Sequence, residues 1–223
     1  MKDVTLYGHL TIDTILEDTK QVQTLGSMAN VWKSLLEIDN SIKIGLSPID
    51  IGEALIYIDK EKSQRYSKAT LNLKSFQPKI ISSKINHLIY INEMTNTDFI
   101  KDLDGIVTAD ICPGKKLNLN LLQYIDYLFI SDEDVDDLVE LENHIRGYII
   151  LHSSTSSFVT NGFDDFEYHL PKEMILQNVN VLGAGDIFAS CFLYKLLRES
   201  KQDIKNWIEF AHIKTTEIIR NSI

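Results

Sequence analysis

Long apolar runs are missing. No stretch approaches the roughly 18 uninterrupted apolar residues that a membrane-spanning helix needs. The first residues, Met1 to Gly8, also lack the apolar core of a secretory signal, so a cytoplasmic protein is expected. Basic residues are outnumbered, with Lys+Arg 22 against Asp+Glu 32 and a net charge of −10, and they form no cluster. A nucleic-acid backbone is held by phosphate-neutralising cations, and an anionic membrane surface repels an acidic chain, so neither is an expected partner. Cysteine is scarce: Cys112 and Cys191 lie far apart in apolar segments and read as reduced packing residues. The six histidines, at 9, 87, 144, 152, 169 and 212, show no zinc-ligand spacing. The ten glycines form neither GxxxxGK[ST] nor GxGxxG, which excludes a Walker loop and a Rossmann fingerprint.

The rest is an ordinary globular composition, 44% hydrophobic and 24% charged over 223 residues, enough for one core without a disulfide or metal staple. No Pro/Gly/Ser-rich linker and no internal repeat divides the chain, so residues 1–223 are expected to form a single domain. Strands are expected at Val4–Tyr7, ending at Gly8, and at Ile42–Leu46, His87–Ile91, Gly105–Ile111, Tyr127–Ile130 and Tyr148–Leu151. Helical patterns cover Met28–Ile38, Thr97–Asp102, Leu117–Tyr124, Asp132–Glu142, Ala184–Glu199 and Asp203–Arg220. Glu53–Asp59 and Arg65–Leu73 read as two β segments joined by the charged turn Lys60–Ser63. Such alternation argues an α/β fold whose mostly parallel sheet is covered on both faces, with the β pair as a small flap at its edge.

The only glycines two apart stand in Val181-Leu182-Gly183-Ala184-Gly185-Asp186, which runs straight into the apolar Ile187–Tyr194. A helix apolar on nearly every side is buried. Glycines at its start let backbone amides turn outward, and the helix dipole adds partial positive charge, so the loop is an anion site. Asp186 then reads in two ways. It is a base for a hydroxyl that receives a phosphoryl group, or it simply caps the helix.

Gly183-Ala184-Gly185-Asp186 before an apolar helix near the C-terminal end resembles the corresponding motif of the ribokinase-like (PfkB) sugar-kinase family. Leu25-Gly26-Ser27-Met28-Ala29-Asn30 is similar to that family's N-terminal glycine-pair-to-Ala-Asn segment. Gly8-His9-Leu10-Thr11-Ile12-Asp13 is similar to its first-strand end, where the family places an Asp on substrate hydroxyls. The resemblance extends to about residue 220. It implies a three-layer α/β/α sandwich with a mostly parallel central sheet and a small β lid. The lid would be drawn from around residues 14–25 and 53–73, closing over the acceptor and excluding water.

The same resemblance implies an ATP-dependent kinase that, with Mg2+, transfers the γ-phosphoryl group to a hydroxyl of a small sugar or nucleoside. Asp186 would be the general base and the amides of Gly183, Ala184 and Gly185 the anion hole. Asp13, Gly26 and Asn30 would face the acceptor. Ser131, Asp134, His152, Ser154, Ser157 and His212 would lie by the nucleotide, with Asp134 on the metal through water. An exposed lid strand would pair with a second copy of the chain.

The chain departs from that pattern at several positions. Leu25 replaces the first glycine of the N-terminal pair, and Asn180-Val181 stands where the family has Asp-Thr, which removes a charge from any monovalent-cation site. Ser131-Asp132-Glu133-Asp134 occupies the place of the Asn-x-x-Glu that organises Mg2+ and phosphate. Asp134 therefore reads either as a water-mediated magnesium contact or as part of a solvated acidic helix face. Leu151-His152-Ser153-Ser154-Thr155-Ser156-Ser157 takes the place of a Thr-Leu-Gly-x-x-Gly nucleotide loop, with Ser154 and Ser157 for its glycines. At positive φ each serine would cost about 1 kcal/mol; alternatively their hydroxyls donate to phosphate. These departures carry the competing reading, a catalytically degenerate relative that binds a sugar or nucleotide. Trp32 and Trp207 read as core residues, His9 as a residue that could touch substrate, and His212 as a surface histidine near the adenine position.

Overall fold

The structure is a computed structural model, and it describes residues 1–17, 20–59, 64–112, 115–132, 138–176 and 182–222. Among these, ten strands form one sheet: β1 (Lys2–Glu17), β2 (Lys20–Leu25), β3 (Ile44–Asp59), β4 (Gln64–Ser75), β5 (Ser83–Leu88), β6 (Ile106–Asp110), β7 (Tyr127–Ser131), β8 (Tyr148–His152), β9 (Ser156–Thr160) and β10 (Asp165–His169). Their order is β10-β9-β8-β7-β6-β5-β1-β3-β4, with β2 on the free side of β1. From β8 to β3 every neighbouring pair is parallel.

One face of the sheet carries α1 (Ser27–Ile38), α3 (Ala184–Arg198) and α4 (Ile204–Asn221), whose Met28, Val31, Leu35, Phe192, Trp207 and Ile208 meet the strand residues Val4, Leu6 and Phe129. The other face is covered by the short α2 (Leu138–Glu142) and by single 3-10 turns at Ile91–Glu93, Asp98–Asp102 and Leu119–Tyr124. The result is the expected α/β/α layering. Two expected helices on the second face, Thr97–Asp102 and Leu117–Tyr124, are only 3-10 turns. Asparagine side chains explain this, because they offer backbone groups a local alternative to the helix. Asn96 accepts from Asp98 N–H and Asn118 from Asn120 N–H.

The first strand does not end at Gly8. β1 runs on to Glu17, and β3 joins the two expected segments 42–46 and 53–59 into one strand. The parallel pairing shifts register between Gly8 and His9, where Ile49 of β3 is the extra residue. Beyond that bulge, β-branched Thr11, Ile12, Thr14 and Ile15 keep the chain extended, and β2 and β4 flank β1 and β3 to make a four-stranded extension. The 53–73 pair is therefore continuous with the main sheet.

Two further expectations are corrected. Trp32 is 41% exposed, because the buried stripe of α1 is Met28, Val31, Ser34 and Leu35, and position 32 lies off it. Trp207 is buried as expected, while β9 and β10, which follow β8 as an antiparallel meander, were not among the expected strands.

Candidate active site

The parallel strands deliver Tyr90, just past β5, together with Asp110, Ser131 and His152 to the carboxyl edge of the sheet. That edge is where open α/β sheets bind ligands. The first turns of α1 and α3 converge on it.

Gly183 is the N-cap of α3 and sits in the left-handed region at φ 81°, a conformation that favours glycine. A Cβ there would also stand 3.2 Å from the Asn30 amide nitrogen. The N–H groups of Gly183, Ala184 and Gly185 have no acceptor among the described residues, as the opening of a helix leaves them. Asp186 is the third helical residue and does not cap: its Oδ2 accepts from Asn30 Nδ2 at 2.8 Å. The capping alternative is thereby removed. The side chain is 7% exposed. Burial pushes its carboxyl up to about 7; the Asn30 hydrogen bond pulls it down, the Asp110 charge raises it, and Ser27 and His87 lower it.

Asn30 belongs to the same helix opening as Gly26, the N-cap of α1, and the two lie one turn apart. Gly26 is needed for a different reason from Gly183. A Cβ on it would fall 2.0 Å from Thr11 Oγ1 and about as close as a hydrogen bond to both Asp13 carboxyl oxygens. Thr11 Oγ1 donates to Asp13 Oδ1 at 2.7 Å, and burial raises the Asp13 carboxyl above its usual range. Thus the first turn of α1 sets Gly26 against Asp13 of β1 at one end and Asn30 against Asp186 of α3 at the other.

His152, at the end of β8, stacks on Phe188 with ring centroids 4.8 Å apart, and its Cε1 lies 3.5 Å from where a Gly185 Cβ would be. Burial lowers its pKa to about 4 against a raising effect of Asp110. Ser131 pairs with His152 in the sheet register. Ser153 organises the turn that follows, its Oγ accepting from the N–H groups of Thr155 and Ser156 at 3.1 and 2.9 Å.

Neither serine of this segment has positive φ, since Asn72 and Tyr90 are the only described non-glycine residues that do. The expected strain of serine at a glycine position is therefore absent. Ser154 is exposed in the turn. Ser157 is buried in β9 and hydrogen-bonded to His212 Nε2 at 2.8 Å. His212 is no surface residue: it is 4% exposed, stacked on Tyr168 and edge-on to Phe188. Burial lowers its pKa to about 4. Ser157 and His212 are engaged with each other, which corrects their reading as a phosphate donor and a surface group. His9 is likewise buried, with Nδ1 2.7 Å from Asp50 Oδ1 at the register shift. Asp134, Asn180 and Val181 lie outside the described residues.

Sequence reasoning missed Thr11, Ser27, His87, Tyr90 and Asp110. Asp110 left a signal, being a charged residue at the end of a strand read as buried. His87 left none, since an apolar strand tolerates one histidine for many reasons.

No protein-family model matches the chain, and no curated protein matches it. Solved structures do. A ribokinase from Thermotoga maritima superposes with a TM-score of 0.76 at 17% identity, covering 98% of this chain and 93% of that one. An adenosine kinase from Sinorhizobium meliloti gives 0.74 at 13%, covering 98% and 94%. A pyrophosphate-dependent kinase in the ribokinase family, complexed with a pyrophosphate analog and myo-inositol, gives 0.67 at 16%, covering 97% and 95%. At such identities the likeness speaks for architecture, and the architecture of this chain is the ribokinase-like α/β/α fold.

Proposed function

We propose that the chain is an ATP-dependent kinase that phosphorylates a hydroxyl of a small sugar or nucleoside. The observation that carries this reading is the buried Asp186 carboxyl beside the amides of residues 183–185, which have no acceptor among the described residues, with Asn30 holding one of its oxygens. A carboxyl raised to about 7 can accept a proton near neutral pH, as a general base must. In the step, the acceptor oxygen bonds to the γ-phosphorus as the bond to the β–γ bridging oxygen breaks. The hydroxyl proton passes to Asp186, ADP leaves, and the amides of 183–185 steady charge on the moving group. Asp13, with Thr11 fixing one oxygen, takes other acceptor hydroxyls, and Gly26 leaves room for that carboxyl.

Ser131, His152 and Ser154 line the donor side, while Ser157 and His212 support it from behind. Among the described residues no group of three His, Cys, Asp or Glu is arranged to hold a metal. Asp134, outside the described residues, would hold Mg2+ through water, with Ser131 beside the nucleotide, and few protein ligands would be needed. When bound, it neutralises phosphate charge. The extension made by β1–β4 acts as the lid. Its exposed Val22, Leu55, Tyr57, Tyr66 and Leu73 suit pairing with a second copy. No helix among the described residues is long and apolar enough to cross a membrane.

A second reading, a binding-only relative, is favoured by the turn after β8, where serines replace a glycine loop and Ser157 is committed to His212. Calorimetric titration with ADP and Mg2+, and in parallel with pyrophosphate, separates the two. Saturable heat with either donor ligand, followed by acceptor-dependent phosphoryl transfer that Asp186→Asn abolishes while binding persists, supports the kinase. A folded protein with no heat from either ligand overturns it. Turnover retained in Asp186→Asn removes the assigned base.

A further inference from the structure

Past the register shift, Asp50, Gly52 and Ala54 of β3 share a face of the sheet with His9, Thr11 and Asp13 of β1, because residues paired across strands point the same way. This is the acceptor face, since Thr11 and Asp13 abut Gly26 on it. The alternate residues Glu53, Leu55 and Tyr57 point to the opposite face. Leu55 is 48% exposed and Tyr57 45%, whereas Asp50 is 1% exposed. A strand that buries an aspartate and leaves a leucine and a tyrosine outside is not placed by its apolar pattern. Where that pattern does not choose, a strand is free to slip by one residue.

The competing register is specific. Residues 4–8 of β1 pair with 44–48 of β3 in unbroken step. Continued without the shift, the same step would set Leu10 beside Asp50, Asp13 beside Glu53 and Ile15 beside Leu55. Two carboxylates would then stand side by side on the acceptor face, and like charges so placed repel. In the structure, Asp13 has Ala54 as its neighbour, and the exposed Glu53 lies beside Ile12.

A polar pair stands at the shift. His9 and Asp50 are the first residues paired beyond it, both are buried, and His9 Nδ1 lies 2.7 Å from Asp50 Oδ1. His9 Nε2 and Asp50 Oδ2 have no hydrogen-bond partner. Buried polar atoms left unmet cost stability, so the pair is a poor stabilising device. Its one directional bond, however, exists only in the shifted register: without the shift the two side chains would point to opposite faces.

We propose that His9 and Asp50 are positioning residues whose hydrogen bond locks the one-residue shift and so keeps the Glu53 carboxylate off the face where Asp13 meets the acceptor. The purpose of the lock rests on Asp13 serving an acceptor. The lock itself does not, and its test needs neither ligand nor turnover.

In protein with labelled Ile, Leu and Val methyl groups, nuclear Overhauser contacts report the register. The shifted pairing gives Ile15–Ile56 and the unshifted one Ile15–Leu55, while Ile15–Val22 across β2 is a reference that neither changes. Wild type and Asp50→Asn, which keeps an oxygen for the histidine, are expected to show Ile15–Ile56. His9→Ala/Asp50→Ala removes the bond and leaves no unpaired polar group. It is expected to lose intensity at Ile15–Ile56 and gain Ile15–Leu55, and to gain more when Glu53→Gln removes the repulsion from Asp13. An unaltered Ile15–Ile56 contact in the folded alanine variant overturns the proposal, as does slippage in Asp50→Asn. Loss of Ile15–Val22 as well would make the pair a general support of the extension, which also overturns it. If Glu53→Gln adds nothing, the role assigned to Glu53 falls.

Should the alanine variant not fold, His9→Leu/Leu10→His decides. It keeps the composition and moves the histidine to the position that the unshifted register sets beside Asp50. Ile15–Leu55 is expected there, and Ile15–Ile56 alone overturns the lock. A register switch in a protein for which no acceptor is found would retire the kinase reading and leave the lock standing.

Discussion

The Asn30 amide donates to Asp186 Oδ2 across 2.8 Å, and this one hydrogen bond ties the first turn of α1 to the first turn of α3. It joins the acceptor side, where Asp13 lies against Gly26, to the loop whose amides are open to an anion. It also keeps a buried carboxyl from being wholly unpartnered, which an interior tolerates poorly. The candidate site is thus built around a group held away from its solution state, and several consequences follow from that.

Asp186 should trade stability for function. Its carboxyl is raised from 3.8 to about 7, so the folded chain holds a proton that the unfolded chain has released, and stability falls as pH rises through that interval. Above it, the full penalty of an ionised buried group remains, on the order of 2–4 kcal/mol. Asp186→Asn, whose amide oxygen can still accept from Asn30, is expected to melt higher than wild type at pH 8.5 while losing turnover. A lower melting temperature at that pH would contradict the burial effect.

The histidines oppose it. His152 and His212 are lowered from 6.5 to about 4, so in that interval the unfolded chain binds protons that the folded chain refuses, and stability falls as pH falls. In the wild type the Asp186 effect partly offsets this slope. Denaturant titrations between pH 7 and 4.5 should therefore show Asp186→Asn losing stability on acidification more steeply than wild type. Parallel curves would mean that the Asp186 carboxyl is not raised, since the histidine slope is common to both proteins.

Ser154 in the turn after β8 and Ser157 in β9 should respond differently to replacement by glycine. Ser157→Gly leaves His212 Nε2 buried without its partner and is expected to cost about 1–3 kcal/mol in chemical denaturation. Ser154→Gly, in the exposed turn, should stay within about 0.5 kcal/mol. Equal effects would show that the hydrogen bond contributes little.

Gly26→Ala should be destabilised by roughly 1–3 kcal/mol, as overpacking is, and should bind acceptor less well, because the new methyl displaces Thr11 Oγ1 from Asp13. The offending atom belongs to a side chain, so Thr11→Ala in the same protein is expected to return much of the stability but not the acceptor affinity. A double variant no more stable than Gly26→Ala would place the strain in the backbone.

The difference between what was legible and what was not follows from range. The Gly183–Asp186 loop, the start of α1 at Gly26 and the strands at 106–110, 127–131 and 148–152 could be read from the chain, because φ preferences, helix openings and branched apolar runs act over a few residues. Short-range reading failed where a neighbour in space chose the outcome. β1 continues past Gly8 because β3 lies beside it, whereas the 3-10 turns at Asp98–Asp102 and Leu119–Tyr124 are opened by local asparagine bonds that a helical pattern does not reveal.

Side-chain partnerships were decided by the tertiary structure alone. Asn30 and Asp186 are separated by 156 positions, Ser157 and His212 by 55, and His87 meets Thr108 across paired strands. The sequence determined that a carboxylate would stand beside a helix opening. Packing decided that it would be buried, held by Asn30 and set near Asp110, because desolvation and charge depend on the whole surrounding fold and on no local stretch of it.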